Sequence, residues 1–437
     1  MSSPDVENTA SQIRRTDAFA KIRMTLRALR HRNYRLFFAG QLISLIGTWM
    51  QNLAQSWLVY RLTGSSFLLG SINFASQIPI FLLAFVGGAV ADRYNRHRVV
   101  VATQTASMIL ALILAALTLT NTIRVWHIFV LSALLGVVNA FDMPTRQAFV
   151  VELVDKEDLM NAIALNSSIF NGARILGPAV AGALISGIGE GWCFFANGIS
   201  YIAVIVGLLL MKLEIKQERS AGQSPISNVI EGLQFVRRTR PIRALLLMMG
   251  LVSAFGMSYS VLMPIVADKI LHMGAHGMGI LMGATGVGAL IGSLTLAAKT
   301  GTRGLSKMVA YASAGFSTFL ILFSISRNFY LSALILVPVG FSFMVQMACT
   351  NTLIQIMAPD NLRGRVLSTH VWMFMGMAPF GSFLAGSIAA HLGAPTTILM
   401  GAVLCLGGAG IYAARLPSLR LATGNLLRKQ AEEPESH

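Results

Sequence analysis

The chain is short of acid: 18 Asp and Glu residues stand against 34 Lys and Arg, a formal net charge of +16 in 437 residues. It is short of charge altogether, with 12% charged residues against 54% hydrophobic ones. A water-soluble globule of that composition would expose far too much apolar surface. Cysteine is nearly absent. Cys193, Cys349 and Cys405 sit inside apolar runs without metal-ligand spacing, so they read as core packing and no metal site is expected. The chain also lacks a Walker sequence, a His-Glu-x-x-His, a Gly-x-Ser-x-Gly and any pair of deep carboxylates. Nucleotide-driven pumping and intramembrane hydrolysis therefore have no machinery here, and neither enzyme activity nor a cofactor is expected. The Gly286-Val-Gly288 cluster is embedded in an apolar run with Gly279, Gly283 and Gly292, where close helix packing explains it better than nucleotide binding.

What the chain has instead is about twelve long apolar runs, with a mean hydropathy of +0.65. Each is long enough to cross the hydrocarbon core of a bilayer. Lys and Arg collect in alternate gaps and in both tails. The opposite gaps hold only Arg61, Arg124, Lys269 and Arg327, and Arg174 lies inside a run. Such an asymmetry orients a multi-pass membrane protein with its cation-rich gaps and both termini in the cytoplasm. The cations stand at helix ends rather than on a patch with interleaved aromatics, so anionic lipid headgroups, not nucleic acid, are the expected partner of this charge.

The longest polar interruption divides the runs six and six. The expected architecture is an all-α membrane protein of twelve transmembrane helices in two six-helix bundles, residues 34–211 and 243–414. A cytoplasmic linker, 212–242, carries an amphipathic segment from Ile226 to Val236. A cytoplasmic N-terminal amphipathic segment, 1–33, and a cytoplasmic tail, 415–437, complete the chain. Within the N-terminal segment, Phe19, Ile22, Leu26 and Leu29 fall on one helical face opposite Arg23, Arg27 and Arg30, the pattern of an interfacial helix. An Arg-rich transit peptide is the alternative, although no small-residue cleavage site precedes the first run.

At an offset of about 204 residues the halves look like copies: GPAVAG at Gly177–Gly182 meets GSFLAG at Gly381–Gly386, and Gly88 meets Gly292. Duplicated halves framing a midplane site are a common transporter plan. Helix one, 34–60, places Gln41, Ser44, Thr48, Gln51 and Gln55 in one polar stripe. The stripe reads as cavity lining, with interhelical hydrogen bonding as the competing explanation. Arg174 falls near the midplane of helix five on a face with Ser167, Asn171 and Pro178. A charge at that depth is costly and generally functional. The acids all read as lying in tails, gaps or helix ends, which leaves Arg174 without a buried carboxylate. It is expected to attract an anionic or catechol-like substrate or to serve coupling, the alternative being a structural Arg bonded to carbonyls.

GGAVADRYNRHR, Gly87–Arg98, resembles the Gly-x-x-x-Asp-Arg-x-x-Arg signature of the major facilitator superfamily. Gly88 is expected to permit close helix approach, and Asp92 and Arg96 stand four apart and can pair. The resemblance implies a charge latch of Asp92, Arg93, Arg96 and the acid ending helix four, read as Asp142, against the N-terminus of helix eleven. RILGPAVAG, Arg174–Gly182, resembles the antiporter motif of drug exporters through Gly177, Pro178 and Gly182. Together with EGLQFVRRTRPIRAL and NTLIQIMAPDNLRGRV it is similar to the enterobactin-exporter and drug-efflux branch. That resemblance implies a cavity lined by helices one, four, seven and ten, with Asn139, Ser253, Tyr259, Ser342 and Gln346 facing it beside the helix-one stripe and Asn171. It further implies a bacterial inner-membrane secondary transporter, monomeric, exporting siderophore-like or drug-like small molecules by alternating access against protons. An uptake facilitator and a non-transporting sensor or scaffold are the rival readings.

Overall fold

The computed structural model describes residues 26–212, 225–299, 301–302, 304–359 and 362–432. Most of the expected N-terminal amphipathic segment lies outside the described residues. The long helices are α1 (Arg32–Thr63), α2 (Ser66–Arg93), α3 (Arg96–Leu119), α4 (Val125–Glu152), α5 (Leu159–Ile188) and α6 (Glu190–Leu209). A linker helix, Pro225–Arg238, follows. Then come α7 (Arg240–Ile270), α8 (Gly274–Ala297), α9 (Leu305–Ile325), α10 (Phe329–Met357), α11 (Arg363–Leu392) and α12 (Ala394–Glu432).

Eleven of the twelve are long and apolar enough to cross a membrane, by length and composition. The exception is α1, whose 32 residues carry the polar stripe that lowers its hydropathy. It is nonetheless packed against α5 and α6 like the others. Local chemistry sets the helix ends. Ser65, Asn95 and Asn328 cap α2, α3 and α10 by accepting from the amides of Leu68, Arg98 and Leu331, and Gly64 closes α1 in the left-handed region. Helix α7 is not uniform. It passes through π-helical turns at Val252–Gly256 and Val266–Ile270, a local irregularity often found where a helix must serve function.

The short turns alternate between two faces, so the termini and the linker share one face, here the termini face, with the distal face opposite. The repeat detected in sequence has a spatial meaning. A Cβ on Gly177 would lie 2.5 Å from Cβ of Trp49 on α1, and one on Gly381 would lie 2.0 Å from the Ala254 carbonyl oxygen on α7. Each glycine thus seats its helix on the first helix of its own half. Five residues later each motif turns to the other half: Gly182 meets Gly279 on α8, and Gly386 meets Gly70 on α2, at Cβ separations of about 3 Å from the opposing Cα. Small residues let helix backbones approach this closely in an apolar medium.

On the termini face, Asp158 precedes α5 and gathers Arg27 (2.5 Å), His31 (2.7 Å) and Arg30 (2.8 Å) around a fully buried carboxylate. Burial works against its ionisation, but the hydrogen bond from His31 and the charges of Arg27, Arg30 and His31 outweigh it and lower the pKa below the ordinary 3.8.

Candidate functional site

The two halves meet along the distal half of the molecule and at mid-depth. At the distal end the Tyr60 hydroxyl donates to Asp268 Oδ2 at 2.6 Å, bridging α1 and the second π-helical turn of α7. Aromatic pairs continue the α2–α11 seam inward: Phe67 with Phe383, Phe74 with Phe380, and Phe81 stacked on Trp372 at 4.9 Å. Toward the termini face, among the described residues, no cross-bundle ion pair or ring contact continues the seam.

At mid-depth, half-way along α5, Arg174 stands with its guanidinium carbon 5.8 Å from the centroid of the Phe343 ring on α10. No carboxylate pairs with it among the described residues. A cation over an aromatic face retains part of the electrostatic stabilisation it would find in a carboxylate, and it keeps its hydrogen-bond donors free. Tyr259, buried on α7, lies within electrostatic range. Phe343 in turn packs on Phe374 of α11 at 6.1 Å. Gln346, one turn along α10 from Phe343, is 1% exposed and has no partner for either its amide nitrogen or its amide oxygen. Arg174 on α5 thus stands where side chains of the two halves meet.

The helix-one stripe belongs elsewhere. Gln41 accepts from Arg146 (2.9 Å), Gln51 from Asn197 on α6 (2.7 Å), and Gln55 donates to Ser132 on α4 (2.9 Å). Thr48 donates to the carbonyl of Ser44, so the stripe ties α1 into its own bundle. Ser253 likewise ties α7 to the Phe374 carbonyl on α11. Asn171 donates to the Ser167 carbonyl on its own helix (2.9 Å). Asn139 is half-buried on α4.

Three sequence expectations need correction. Helix four runs to Glu152, so Asp142 is not its terminal acid. Arg96 pairs with Glu152 at 2.7 Å and only loosely with Asp92 at 4.0 Å. Asp142 instead lies about ten residues, or ~15 Å, inside the helix, 2% exposed, where it accepts from Thr103 (2.7 Å) and Gln104 (2.9 Å) and pairs with Arg146 (3.0 Å). A deep carboxylate therefore exists, although the sequence showed none. Arg146 does not open a polar gap. Its charge is in fact carried within the helix on an acid four residues back. Finally, a Cβ on Gly88 would meet nothing within 4 Å. The close approach is made by Gly87, whose Cβ would lie 2.0 Å from the Ala140 carbonyl oxygen. Arg93 is exposed. Sequence reasoning also missed Phe343 and Asp268, which carry no local signature and acquire meaning only from the opposite half.

Known proteins share this plan. Residues 24–434 match the transmembrane secretion effector family. The staphyloferrin A transporter of Staphylococcus aureus is 27% identical over 89% of this chain and 98% of its own length. The multidrug efflux pump Tap of Mycolicibacterium fortuitum is 25% identical over 84% and 92%. The enterobactin exporter EntS of Shigella boydii is 23% identical over 84% and 86%. The crystal structure of the nucleoside transporter NupG superposes with a TM-score of 0.69 at 14% identity, covering 89% of this chain and 99% of that one, which supports the fold. With helices of this length and composition, the chain is a multi-pass membrane protein and a secondary transporter of the major facilitator superfamily, and it belongs to the transmembrane secretion effector family.

Proposed function

We propose that this protein exports small molecules across the bacterial inner membrane by proton-coupled alternating access, as a monomer with both termini in the cytoplasm. The observation that carries the reading is Arg174. It is a guanidinium at mid-depth on the seam between the halves, without a carboxylate, beneath a distal face that is held shut by Tyr60, Asp268 and the glycine approaches of α5 and α11. In this state cargo enters from the termini face, and the cation-rich loops there favour a cytoplasmic assignment. Arg174 then supplies charge for an anionic cargo, with Tyr259, Asn139 and Asn171 as further polar contacts.

Asp142 offers the carboxylate on which a transported proton can reside, since ionisable groups held inside membrane helices mark ion and proton routes. Asp92, Arg93, Arg96 and Glu152 form the latch that closes the termini face when the distal seam opens, by engaging the N-terminus of α11, where helix-dipole charge favours an anion. The GPAVAG motif supports the export direction, as do the efflux and exporter relatives.

Everted membrane vesicles with an imposed proton gradient test the reading, using labelled citrate and salicylate as anionic probes and ethidium as a cationic one. The expected result is uphill accumulation that a protonophore abolishes and that Arg174→Ala reduces at least tenfold for the anions without loss of folded protein. Gradient-independent equilibration in either vesicle orientation would instead mark a facilitator, and no flux of any probe would mark a sensor or scaffold.

A further inference from the structure

Two orphaned polar groups lie beside the aromatic pair that supports Arg174. Helices α10 and α11 run in opposite directions and meet through Phe343 and Phe374, their rings 6.1 Å apart and inclined at 36°. Gln346 follows Phe343 by three residues and His370 precedes Phe374 by four. In helices of opposite direction, both steps lead the same way, one turn toward the termini face. Gln346 is 1% exposed and His370 4% exposed. Neither Gln346 amide atom has a hydrogen-bond partner, and neither has Nε2 of His370.

A buried amide without either partner forfeits the hydrogen bonds it would make in water. Two such residues from separate helices, at one level, one turn from the aromatic pair on which Arg174 rests without an acid, form a polar layer whose complement is not supplied by the protein. Packing alone would favour Leu or Met at 346, because interhelical contact in an apolar medium needs no amide. The chemistry of the layer is specific. An amide offers a donor and an acceptor side by side, an imidazole offers one or the other, and a hydroxyl group satisfies both. Arg174 requires an anion, and the Phe343 and Phe374 rings admit a flat or apolar body between the charge and the hydroxyl.

Building on the transport reading above, we infer that Gln346 and His370 form the hydrogen-bonding floor of the cargo site whose anion-binding wall is Arg174. The site takes an organic anion bearing a hydroxyl about one helical turn (~5 Å) from its charge. Such cargo must turn the Phe343 and Phe374 rings aside on entry, a rotamer change that is fast beside transport. Gln346 is then the residue that sets specificity. A site built to hydrogen-bond a hydroxyl rejects the analogue lacking it far more strongly than an apolar pocket can reject an added methylene.

Calorimetric titration of the full chain in lipid nanodiscs with 4-hydroxybenzoate, benzoate and phenol tests this. The wild type is expected to bind 4-hydroxybenzoate about tenfold more tightly than benzoate, and phenol most weakly. Gln346→Leu should bring the two anions to within twofold of each other by weakening 4-hydroxybenzoate alone. Because benzoate binding persists in that variant, it reports that the site is folded. His370→Phe should narrow the same gap in part, and Arg174→Met should weaken both anions to the level of phenol. Retention of the tenfold preference in Gln346→Leu overturns the inference, as does a wild type that binds neither anion. If the preference is found as expected while everted vesicles accumulate none of these probes, the binding site stands and the export reading falls.

Discussion

The two bundles differ in how fully their buried amides and ionisable side chains are paired. In the N-terminal half these groups answer one another: Asp142 holds Thr103, Gln104 and Arg146, Arg146 reaches Gln41, Gln51 takes Asn197, and Gln55 takes Ser132. Within that network a single amide edge, Nε2 of Gln41, is left over. In the C-terminal half, Gln346, His370, Trp372 and Ser313 all carry buried atoms without a partner. A satisfied network rigidifies the half that carries it, whereas unsatisfied groups in the other half leave hydrogen-bonding capacity for a molecule that comes and goes.

The sharpest way to break this contrast is to remove one member from each side. Asp142→Ala strips a 2%-exposed carboxylate from Arg146 and leaves a cation inside an apolar helix, so thermal unfolding in detergent should show a loss of about 3 kcal/mol. Gln346→Leu removes no bond and should unfold at or above the wild-type temperature. Equal losses from the two would dissolve the distinction between framework and site.

The seam between the halves offers the next test, with a smaller effect. Tyr60→Phe deletes the hydroxyl that bridges α1 and α7 and should shift the distal face toward opening by about 1 kcal/mol, roughly a fivefold change in population. Alkylation of a cysteine placed at Ser382, 5% exposed on the α2–α11 seam, in a background lacking the three native cysteines, reads that change. If labelling is unaltered, the rings and glycines hold the distal seam without help from Tyr60.

The smallest effect is expected at Asp158, which contrasts with Asp142 because it stands outside the membrane-spanning helices and is met by Arg27, Arg30 and His31. Its folded-state pKa lies below the ordinary 3.8. The stabilisation it contributes is therefore complete above pH 3.8 and declines as pH falls through the lower folded value. Asp158→Asn should mimic the acid state at neutral pH and speed tryptic cleavage at Arg27 and Arg30. Cleavage at the wild-type rate would show that the segment docks without the charge.

Much of the fold was readable from residue order alone. Long apolar runs can satisfy their backbone groups in lipid only as helices, and the cations marked which gaps lie together. GPAVAG and GSFLAG announced their equivalence because close backbone packing demands glycine at fixed spacing. Arg174 was legible for the same reason that it is costly, as a charge with nothing around it but apolar sequence. Asp142 was misread because an acid and an Arg four residues apart look like the start of a polar gap, when pairing lets both remain inside a helix. Gln51 and Gln55 were legible as polar but not as partnered, since their partners lie on α6 and α4, far along the chain. His370 went unremarked because a lone histidine near a helix end carries no pattern of its own.

Residue order by itself determined that this chain lives in a bilayer, the way its helices alternate, and the duplication of its halves. Each of these follows from hydrophobicity and steric rules that act along the chain. Only the tertiary structure decided which polar groups are satisfied and which wait, because a hydrogen bond between helices depends on distances across the bundle that no local pattern encodes.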